Sequence, residues 1–192
     1  MVAICWLIIS SQCFSQSSFL QEFSGSQIEN SIHLSFTISS GITCLGIDIE
    51  RSVDSINFTR IGTIGGVCGS TSDDITYSFN DTSPLTNQVN YYRLLLGQVG
   101  YSTTIRVQYI DYNQGAVVLP NPLTDAANIY FPNVNNQTFH FKLFDSSGRV
   151  TLSLQTRDES ILLKREKLGA GIYFFVLSGE GGQKYYGKVI IL

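Results

Sequence analysis

Apolar and polar residues alternate with a period of two along most of this chain, as in β-strands with one buried and one solvated face. The alternation is strict in residues 31–38 and 45–50, and no run keeps a helical period. Turn residues separate the strand-like runs at intervals of about ten residues. The pattern predicts an all-β fold whose first part is an antiparallel sandwich. Its further strand-like runs are residues 58–64, 76–79, 89–96 and 103–110.

Two prolines mark the start of a second module. Pro120 and Pro122 each lack a backbone donor and favour extended geometry in the preceding residue, so a linker is expected to end there. Five β-branched or aromatic runs follow, which predicts a second small antiparallel sandwich. We therefore expect two tandem β-sandwich domains at 16–113 and 119–192, joined by a linker at 114–118. The five runs are residues 128–131, 138–144, 150–154, 172–177 and 185–192.

Turn chemistry divides the second module further. Asp145 can bond the backbone two residues on and Gly148 is free to take a positive φ, so residues 145–148 predict a hairpin turn. Gly169 and Gly171 predict a tight bend before the strand at 172–177.

These features occur in a specific order, which is Pro120-Asn121-Pro122, then Asp145 to Gly148, then Leu168 with Gly171 and Tyr173, then Gly187-Lys188. Together, over about residues 116–192, they resemble the C-terminal sorting domain (type A) of the type IX secretion system of Bacteroidetes. The resemblance implies export through the periplasm to the cell surface or the medium. It also implies an outer-membrane translocon and a sortase as partners, with surface polysaccharide as a further one.

The start of the chain agrees with export. Residues 2–9 form an apolar run too short to span a bilayer, and small Cys13 and Ser15 precede a possible cleavage before Gln16. This predicts a signal peptide at 1–15, although it has no Lys or Arg; a buried first strand is the alternative. No later apolar stretch approaches 18 residues, so no transmembrane segment is expected.

The first module resembles the fibronectin type III-like domains that often precede such sorting domains. The resemblance rests on residues 49–52, on Tyr77 with Asp81, and on residues 90–94. It implies that Tyr91 or Tyr92 lies at a corner with its hydroxyl bonded to backbone. It also implies that Phe36 occupies the position where a buried Trp is common.

Two cysteines remain once the signal peptide is removed. In a chain exported through an oxidising periplasm, Cys44 and Cys68 are expected to form a disulfide. A metal pair would need further ligands and a nucleophile would need a base, and neither has support in the sequence.

Charge and histidine placement bear on the class of function. Residues 16–113 carry a net charge of −5 and residues 114–192 a net charge of +2, so a nucleic-acid partner is not expected. By period two, His33 and His140 point outward, and no G-x-S-x-G, H-E-x-x-H or C-x-x-C motif is present. We expect no catalytic residues, no cofactor and no metal. The alternative for a metal is calcium held by Asp73, Asp74 and Asp81.

The sequence thus predicts a secreted or surface-exposed, non-catalytic protein with a fibronectin-like adhesion or spacer module. One alternative is that the chain is the C-terminal remnant of a larger secreted enzyme or adhesin. Another is a glycan-binding module that uses Tyr101, Tyr109 and Tyr112, if their rings share a solvent face. In addition, residues 54–56, Asp-Ser-Ile, resemble the O-glycosylation sequon of this bacterial group.

Overall fold

The computed structural model describes residues 20–166 and 168–192, so the predicted signal peptide at 1–15 lies outside the described residues. Within them the chain is built of β-strands, with one 3₁₀ turn at Tyr112–Gln114. The predicted all-β class is confirmed. The described part of the chain contains no helix long and apolar enough to span a bilayer.

The first eight strands form two sheets. One sheet has the order β1-β2-β5, and the other has the order β4-β3-β6 with both β7 and β8 paired to β6. This is the strand arrangement of a fibronectin type III-like sandwich. The strands are β1 (Leu20–Ile28), β2 (Ser31–Ile38), β3 (Ile42–Ser52), β4 (Thr59–Ser70), β5 (Ile75–Asp81), β6 (Gln88–Leu96), β7 (Gly100–Tyr101) and β8 (Ile105–Tyr109).

The period-two pattern accounts for the core of this first sandwich. In β2 every second side chain is fully buried, and Phe36 lies against the rings of Phe23 and Tyr77 at centroid distances of 6.0 and 5.8 Å. Inward residues of the facing sheet complete the core, so side chains of both sheets are removed from water. They include Ile47, Ile49, Tyr92, Leu94 and Leu96.

The second sandwich contains seven strands in two sheets, with the orders β13-β10-β9 and β12-β11-β14-β15. Neighbouring strands pair antiparallel throughout. The strands are β9 (Val117–Leu119), β10 (Ala126–Tyr130), β11 (Phe139–Phe144), β12 (Val150–Thr156), β13 (Ser160–Lys164), β14 (Gly171–Gly179) and β15 (Lys184–Ile191).

Aromatic side chains dominate the core of the second sandwich. Phe141 of β11 lies 5.8 Å, centroid to centroid, from Phe175 of the neighbouring strand β14. Phe131 and Phe139 form a second pair at 5.1 Å. Each of these rings is at most 2% exposed, so together they supply much of the apolar area that this small domain buries.

The described residues divide into two compact units. The first holds residues 20–26, 32–81 and 91–107, and the second holds 27–31, 82–90 and 108–192. The predicted linker at 114–118 overlaps β9, because Val117 and Val118 pair with Tyr130 and Ile129 of β10. Their backbone groups are used in a sheet, so these two residues belong to the second sandwich and not to a linker.

Candidate functional site

The sequence motifs of the second sandwich lie at one end of its four-stranded sheet. Phe144, the last residue of β11, pairs with Phe174 near the start of β14, and Phe174 pairs with Lys188 near the end of β15. The turn that follows Phe144, the bend that precedes β14 and the residues that follow Lys188 are therefore adjacent.

Asn121 joins the Pro-Asn-Pro segment (120–122) to this end of the sheet. Its Nδ2 donates to the carbonyl of Lys188 at 3.0 Å, and its Oδ1 accepts from the backbone N–H of Ile190 at 2.9 Å. The amide thus bonds to β15 as a neighbouring strand would. Pro120 and Pro122 on either side have no N–H to offer, so the side chain supplies the donor.

Leu123 continues this pairing. Its N–H donates to the carbonyl of Ile190 at 2.8 Å, and its own carbonyl accepts from the N–H of Leu192 at 3.1 Å. Because β15 is the last strand in the order of its sheet, its outer edge would otherwise present unpaired backbone groups. Residues 121–123 cover the C-terminal half of that edge, from Lys188 onward.

The hairpin turn between β11 and β12 is organised by one carboxylate. Asp145 Oδ1 accepts from the backbone N–H groups of Ser147 and Arg149, both at 3.0 Å, and from the Ser147 hydroxyl at 2.6 Å. Its Oδ2 accepts from Nε of Arg149 at 3.0 Å. Gly148 adopts a φ of +80°, which a side chain would disfavour. The predicted turn chemistry is therefore present.

These bonds, first of all that from the Ser147 hydroxyl, lower the pKa of Asp145 to about 2. A depressed pKa stabilises the fold above the ordinary pKa of Asp, about 3.9, and the contribution is lost as the pH falls towards the folded value. We expect Asp145→Asn to destabilise the second sandwich at about pH 5 and to have a smaller effect near pH 2. Urea unfolding followed by backbone NMR signals of residues 117–192 measures this. An equal loss at both pH values would contradict the role given to the carboxylate.

The bend before β14 is closed by Tyr173. Its hydroxyl donates to the carbonyl of Gly169 at 3.0 Å, and its ring is 9% exposed. Leu168 packs against the core, and its N–H donates to the carbonyl of Arg165 at 2.6 Å. Gly171 has a φ of +152°, a region that favours glycine. Leu168, Gly171 and Tyr173 therefore fix the start of β14.

Gly187 has to be a glycine because the ring of Phe175 lies too close to leave room for a side chain. It lies opposite Phe175 on the neighbouring strand, and a Cβ built on it would overlap that ring. The ring of Phe175 is buried at 1% exposure, so any shift that makes room must displace its neighbours in the core. The glycine of the Gly187-Lys188 pair thus has a packing role, while Lys188 is exposed beside it.

Gly187→Ala is expected to lower the free energy of unfolding of the second sandwich by about 1–3 kcal/mol, the usual cost of overpacking a core. The matched control is Gly169→Ala, where the added Cβ would meet nothing closer than the Tyr173 hydroxyl at 4.0 Å. Urea unfolding of both variants tests the contrast. Equal stability of the two would show that the ring adjusts freely.

The outer face of the four-stranded sheet carries exposed apolar side chains, which the sequence analysis did not identify. Ile172 and Phe174 on β14 are 48% and 50% exposed, and Tyr186 on β15 is 62% exposed. Exposed lysines lie among them at positions 142, 184 and 188. The sequence does indicate this apolar outer face: in the run 172–177 both the even-numbered and the odd-numbered residues are apolar, as in a strand that is covered on both faces.

The predicted disulfide of the first sandwich is confirmed. Cys44 of β3 and Cys68 of β4 lie directly opposite each other in the ladder, with their Cα atoms 5.0 Å apart, and they are bonded. Both are buried, at 6% and 1% exposure. The bond therefore ties the edge strand β4 to its only partner strand in the sheet order.

The tyrosine expected at a corner of this sandwich bonds differently from the expectation. Tyr92 is fully buried, but its hydroxyl donates to Oδ2 of Asp81 at 2.8 Å and not to a backbone carbonyl. Nη1 of Arg51 donates to the same oxygen at 2.7 Å. A carboxylate is a stronger acceptor than a carbonyl. Burial, together with Asp81, raises the pKa of Tyr92, so the hydroxyl keeps its proton.

The three tyrosines predicted to share a solvent face do not all reach the surface. Tyr112 is half-buried in the 3₁₀ turn. Tyr109 is only 6% exposed, since it points into the core from β8. Tyr101 is exposed, but the guanidinium of Arg93 stacks 3.9 Å from its centroid and equally close to that of Phe58. Arg93 Nε also donates to Glu50 at 2.7 Å. Tyr101 therefore belongs to a cation–π cluster, and Tyr109 cannot join it at the surface.

The candidate calcium ligands do not meet. Asp74 precedes β5 and accepts from the Ser40 N–H at 2.7 Å, while Asp81 ends the same strand. Seven residues of extended chain, about 23 Å, separate them. Among the described residues no group of three or more His, Cys, Asp or Glu side chains could hold a metal.

The two histidines have ordinary surface surroundings. His33 Nδ1 lies 2.7 Å from Oδ1 of Asn80 on the neighbouring strand. His140 is exposed on β11. The two histidines belong to different compact units.

The sequon at 54–56 lies in a loop between β3 and β4. Asp54 Oδ1 accepts from the N–H groups of Ile56 and Asn57, at 2.9 and 2.8 Å, and these bonds lower its pKa. Ser55 is exposed at the tip. Its hydroxyl is thus accessible, and modification there stays a prediction.

Comparison with known proteins agrees with the second sandwich. Residues 117–192 match the family model described as the secretion system C-terminal sorting domain. No curated protein matches the chain. This segment therefore belongs to the family of C-terminal sorting domains, which confirms the resemblance seen in the motifs. A chain with this domain is exported through the periplasm to the outer surface or the medium.

Similarity to solved structures is weak. Three structures each cover 90% of this chain at a TM-score of 0.31. They are the FN1–FN3 domains of chicken CNTN1 (11% identity, 65% of that chain), dimeric latent PorU from Porphyromonas gingivalis (13%, 20%) and the BSP domain of a biofilm associated protein (13%, 29%). The chain spans less than two thirds of each of them. The fibronectin-like assignment rests on the strand order instead.

Proposed function

We propose that the protein is a non-catalytic secreted or surface protein in which the second sandwich directs export and the first serves as an adhesion or spacer module. The outer-membrane translocon of the type IX system binds the second sandwich, and a sortase then removes it. The first sandwich is released or attached to surface polysaccharide.

The observation that carries this proposal is the assembly of the sorting motifs at one end of a single sheet. Asn121 bonds to the backbone on either side of Val189, and the Asp145 turn and the Tyr173 bend adjoin the same strands. Motifs that served only local turns would have no reason to converge around the C-terminal strand.

The polar groups of the first sandwich favour a structural role over catalysis. Arg93 is paired with Glu50, Arg51 with Asp81, and Asp48 accepts from the Thr63 hydroxyl at 2.6 Å. Side chains that are bonded to one another in this way stabilise a domain, and few of their polar atoms are left to bind a substrate. A disulfide and a buried ion pair suit a module that must persist outside the cell.

The exposed apolar face of the second sandwich supports a protein partner. Phe174 and Tyr186 stand exposed on this face, and aromatic side chains are enriched at protein interfaces. We place translocon recognition there.

The proposal predicts the location of variants in a bacterium that carries the type IX system. Deleting residues 117–192 should leave the chain in the periplasm, whereas the full chain should appear outside without its second sandwich. Phe174→Ser should reduce export. Its matched control, Leu162→Ser, removes a side chain of similar exposure, 56%, from the other sheet and should export normally.

Fractionation with intact mass measures these outcomes. Thermal unfolding of the purified variants shows whether both have kept the fold, since both positions are exposed. Export of the chain lacking 117–192 would contradict the sorting role. Equal export of Phe174→Ser and Leu162→Ser would contradict the placing of recognition on this face, but not the sorting role of the second sandwich.

A further inference from the structure

The four-stranded sheet of the second sandwich carries charge of one sign only. Its strands β11, β12, β14 and β15 contain three lysines and neither Asp nor Glu. The six acidic side chains of residues 114–192 all lie outside these four strands, and an ordinary solvated face would mix the two signs. They are Asp125, Asp145, Asp158, Glu159, Glu166 and Glu180.

The strand ladders place the three lysines around an apolar centre. On β15, Lys184 and Lys188 stand two residues before and after Tyr186, about 7 Å away along the strand. Tyr186 pairs with Val176 of β14, and Val176 pairs with Lys142 of β11. Lys142 therefore lies two strands, about 10 Å, from Tyr186. Paired residues and residues two apart share a face, so all five belong to the outer face of the sheet.

These three lysines have no carboxylate partner within the described chain. Each of them is exposed. The four ion pairs among the described residues all use arginine, and the one nearest to this sheet joins Arg149 to Asp145 at 3.0 Å. The ammonium groups of the outer face are thus left to meet the charge of a partner.

The apolar centre between the lysines is only partly raised from the sheet. Phe174 pairs with Lys188 and is 50% exposed, and Tyr186 is 62% exposed. Apolar side chains that anchor a protein in a lipid layer reach about 5–10 Å into it, whereas half of the Phe174 side chain is covered by its neighbours. A flat face of this kind favours the surface of another protein over a lipid layer.

We propose that the partner seated on this face is an acidic protein surface, whose carboxylates stand opposite Lys142, Lys184 and Lys188. An apolar centre between those carboxylates covers Phe174 and Tyr186. The inference rests on the proposed function, which places translocon recognition on the same face, and it adds the chemistry of the surface that binds there. Opposite charges speed the encounter of two proteins and exclude partners of like charge, while the buried aromatic side chains supply affinity.

The test changes the charge of the face and leaves the sorting motifs intact. Lys142→Glu/Lys184→Glu reverses two lysines that lie outside those motifs. In a bacterium that carries the type IX system, we expect export of the full chain to fall about fivefold, because two attractive pairs become repulsive. Lys142→Gln/Lys184→Gln should reduce export less, and Lys142→Arg/Lys184→Arg should not reduce it.

The matched control is Arg106→Glu/Lys164→Glu, which makes the same change in net charge at exposed positions on β8 and β13. It should be exported as the unaltered chain is. Thermal unfolding of the purified variants shows whether each has kept the fold. If the glutamate variant of the face has not, the comparison of the glutamine pair with the arginine pair decides.

Sedimentation with vesicles separates a protein partner from an anionic lipid. The vesicles contain equal parts of phosphatidylcholine and phosphatidylglycerol, and the unaltered full chain should stay in the supernatant at physiological ionic strength. Sedimentation that Lys142→Glu/Lys184→Glu prevents would assign the face to lipid and overturn the proposal.

Equal export of Lys142→Glu/Lys184→Glu and Arg106→Glu/Lys164→Glu would also overturn it. Phe174→Ser keeps this failure apart from a failure of the proposed function. If Phe174→Ser reduces export and the charge reversal does not, the face still serves recognition and only the acidic partner is wrong. If neither reduces export, recognition does not take place on this face and the inference is wrong with it.

Discussion

Replacing Asp81 by alanine is expected to lower the free energy of unfolding of the first sandwich by about 3–5 kcal/mol. Asp81 is 5% exposed, and its Oδ2 accepts from Arg51 at 2.7 Å and from the Tyr92 hydroxyl at 2.8 Å. Without the carboxylate, a guanidinium in a largely buried position loses this counter-charge, and a fully buried hydroxyl loses its acceptor.

Urea unfolding followed by NMR signals of residues 32–81 measures the loss. Glu22→Ala is the matched control, because that carboxylate is exposed on β1 and its removal should change stability by less than about 0.5 kcal/mol. Tyr92→Phe, which removes only the hydroxyl, should cost about 1 kcal/mol. Similar losses for Asp81→Ala and Glu22→Ala would mean that the buried cluster contributes no net stability.

Replacing both Cys44 and Cys68 by alanine is expected to cost the first sandwich about 3 kcal/mol. The bond joins residues 24 apart in sequence, and by the chain-entropy model a loop of this length restricts the unfolded chain by about that amount. Because the cysteines already lie opposite each other in the ladder, the fold should survive without the bond.

A reducing agent provides the internal check for this prediction. Dithiothreitol should lower the urea midpoint of the unaltered chain to that of the double variant, and it should leave the variant unchanged. If the midpoint of the unaltered chain does not move, the bond does not limit the unfolded chain in the way the model requires.

The fold was predictable where one strict pattern dominated. Residues 31–38 alternate strictly and form β2, and the turn chemistry of Asp145 and Gly148 marks the hairpin between β11 and β12. The cysteine pair was predictable because only two cysteines follow the predicted signal peptide. In each case a local signal was enough.

Strands with weak local signals were missed. β1 has only Leu20, Phe23 and Ile28 as large apolar residues, and its burial pattern does not alternate strictly. β9 is three residues long and lies directly before Pro120, so the sequence pattern places Val117 and Val118 in the linker. Both strands depend on partners distant in sequence, which a window of neighbouring residues does not reveal.

The contacts of the motif residues could not be predicted from the sequence, and their role as a recognition site stays a prediction. Asn121 was recognised only as part of a motif, because nothing in the sequence shows that its amide reaches β15. The carboxylate partner of Tyr92 and the burial of Tyr109 are likewise consequences of sheet packing.

The bond between Asn121 and Lys188 spans 67 residues of sequence. The bond can form only when the strands between these two residues have paired into the two sheets. The end of the four-stranded sheet, which this bond helps to hold together, therefore also forms only in the folded domain. The strands of the outer face, on which we propose that the translocon binds, end here and are held together by the same closure. If that proposal holds, the translocon engages only chains whose second sandwich has folded, and export reports on folding.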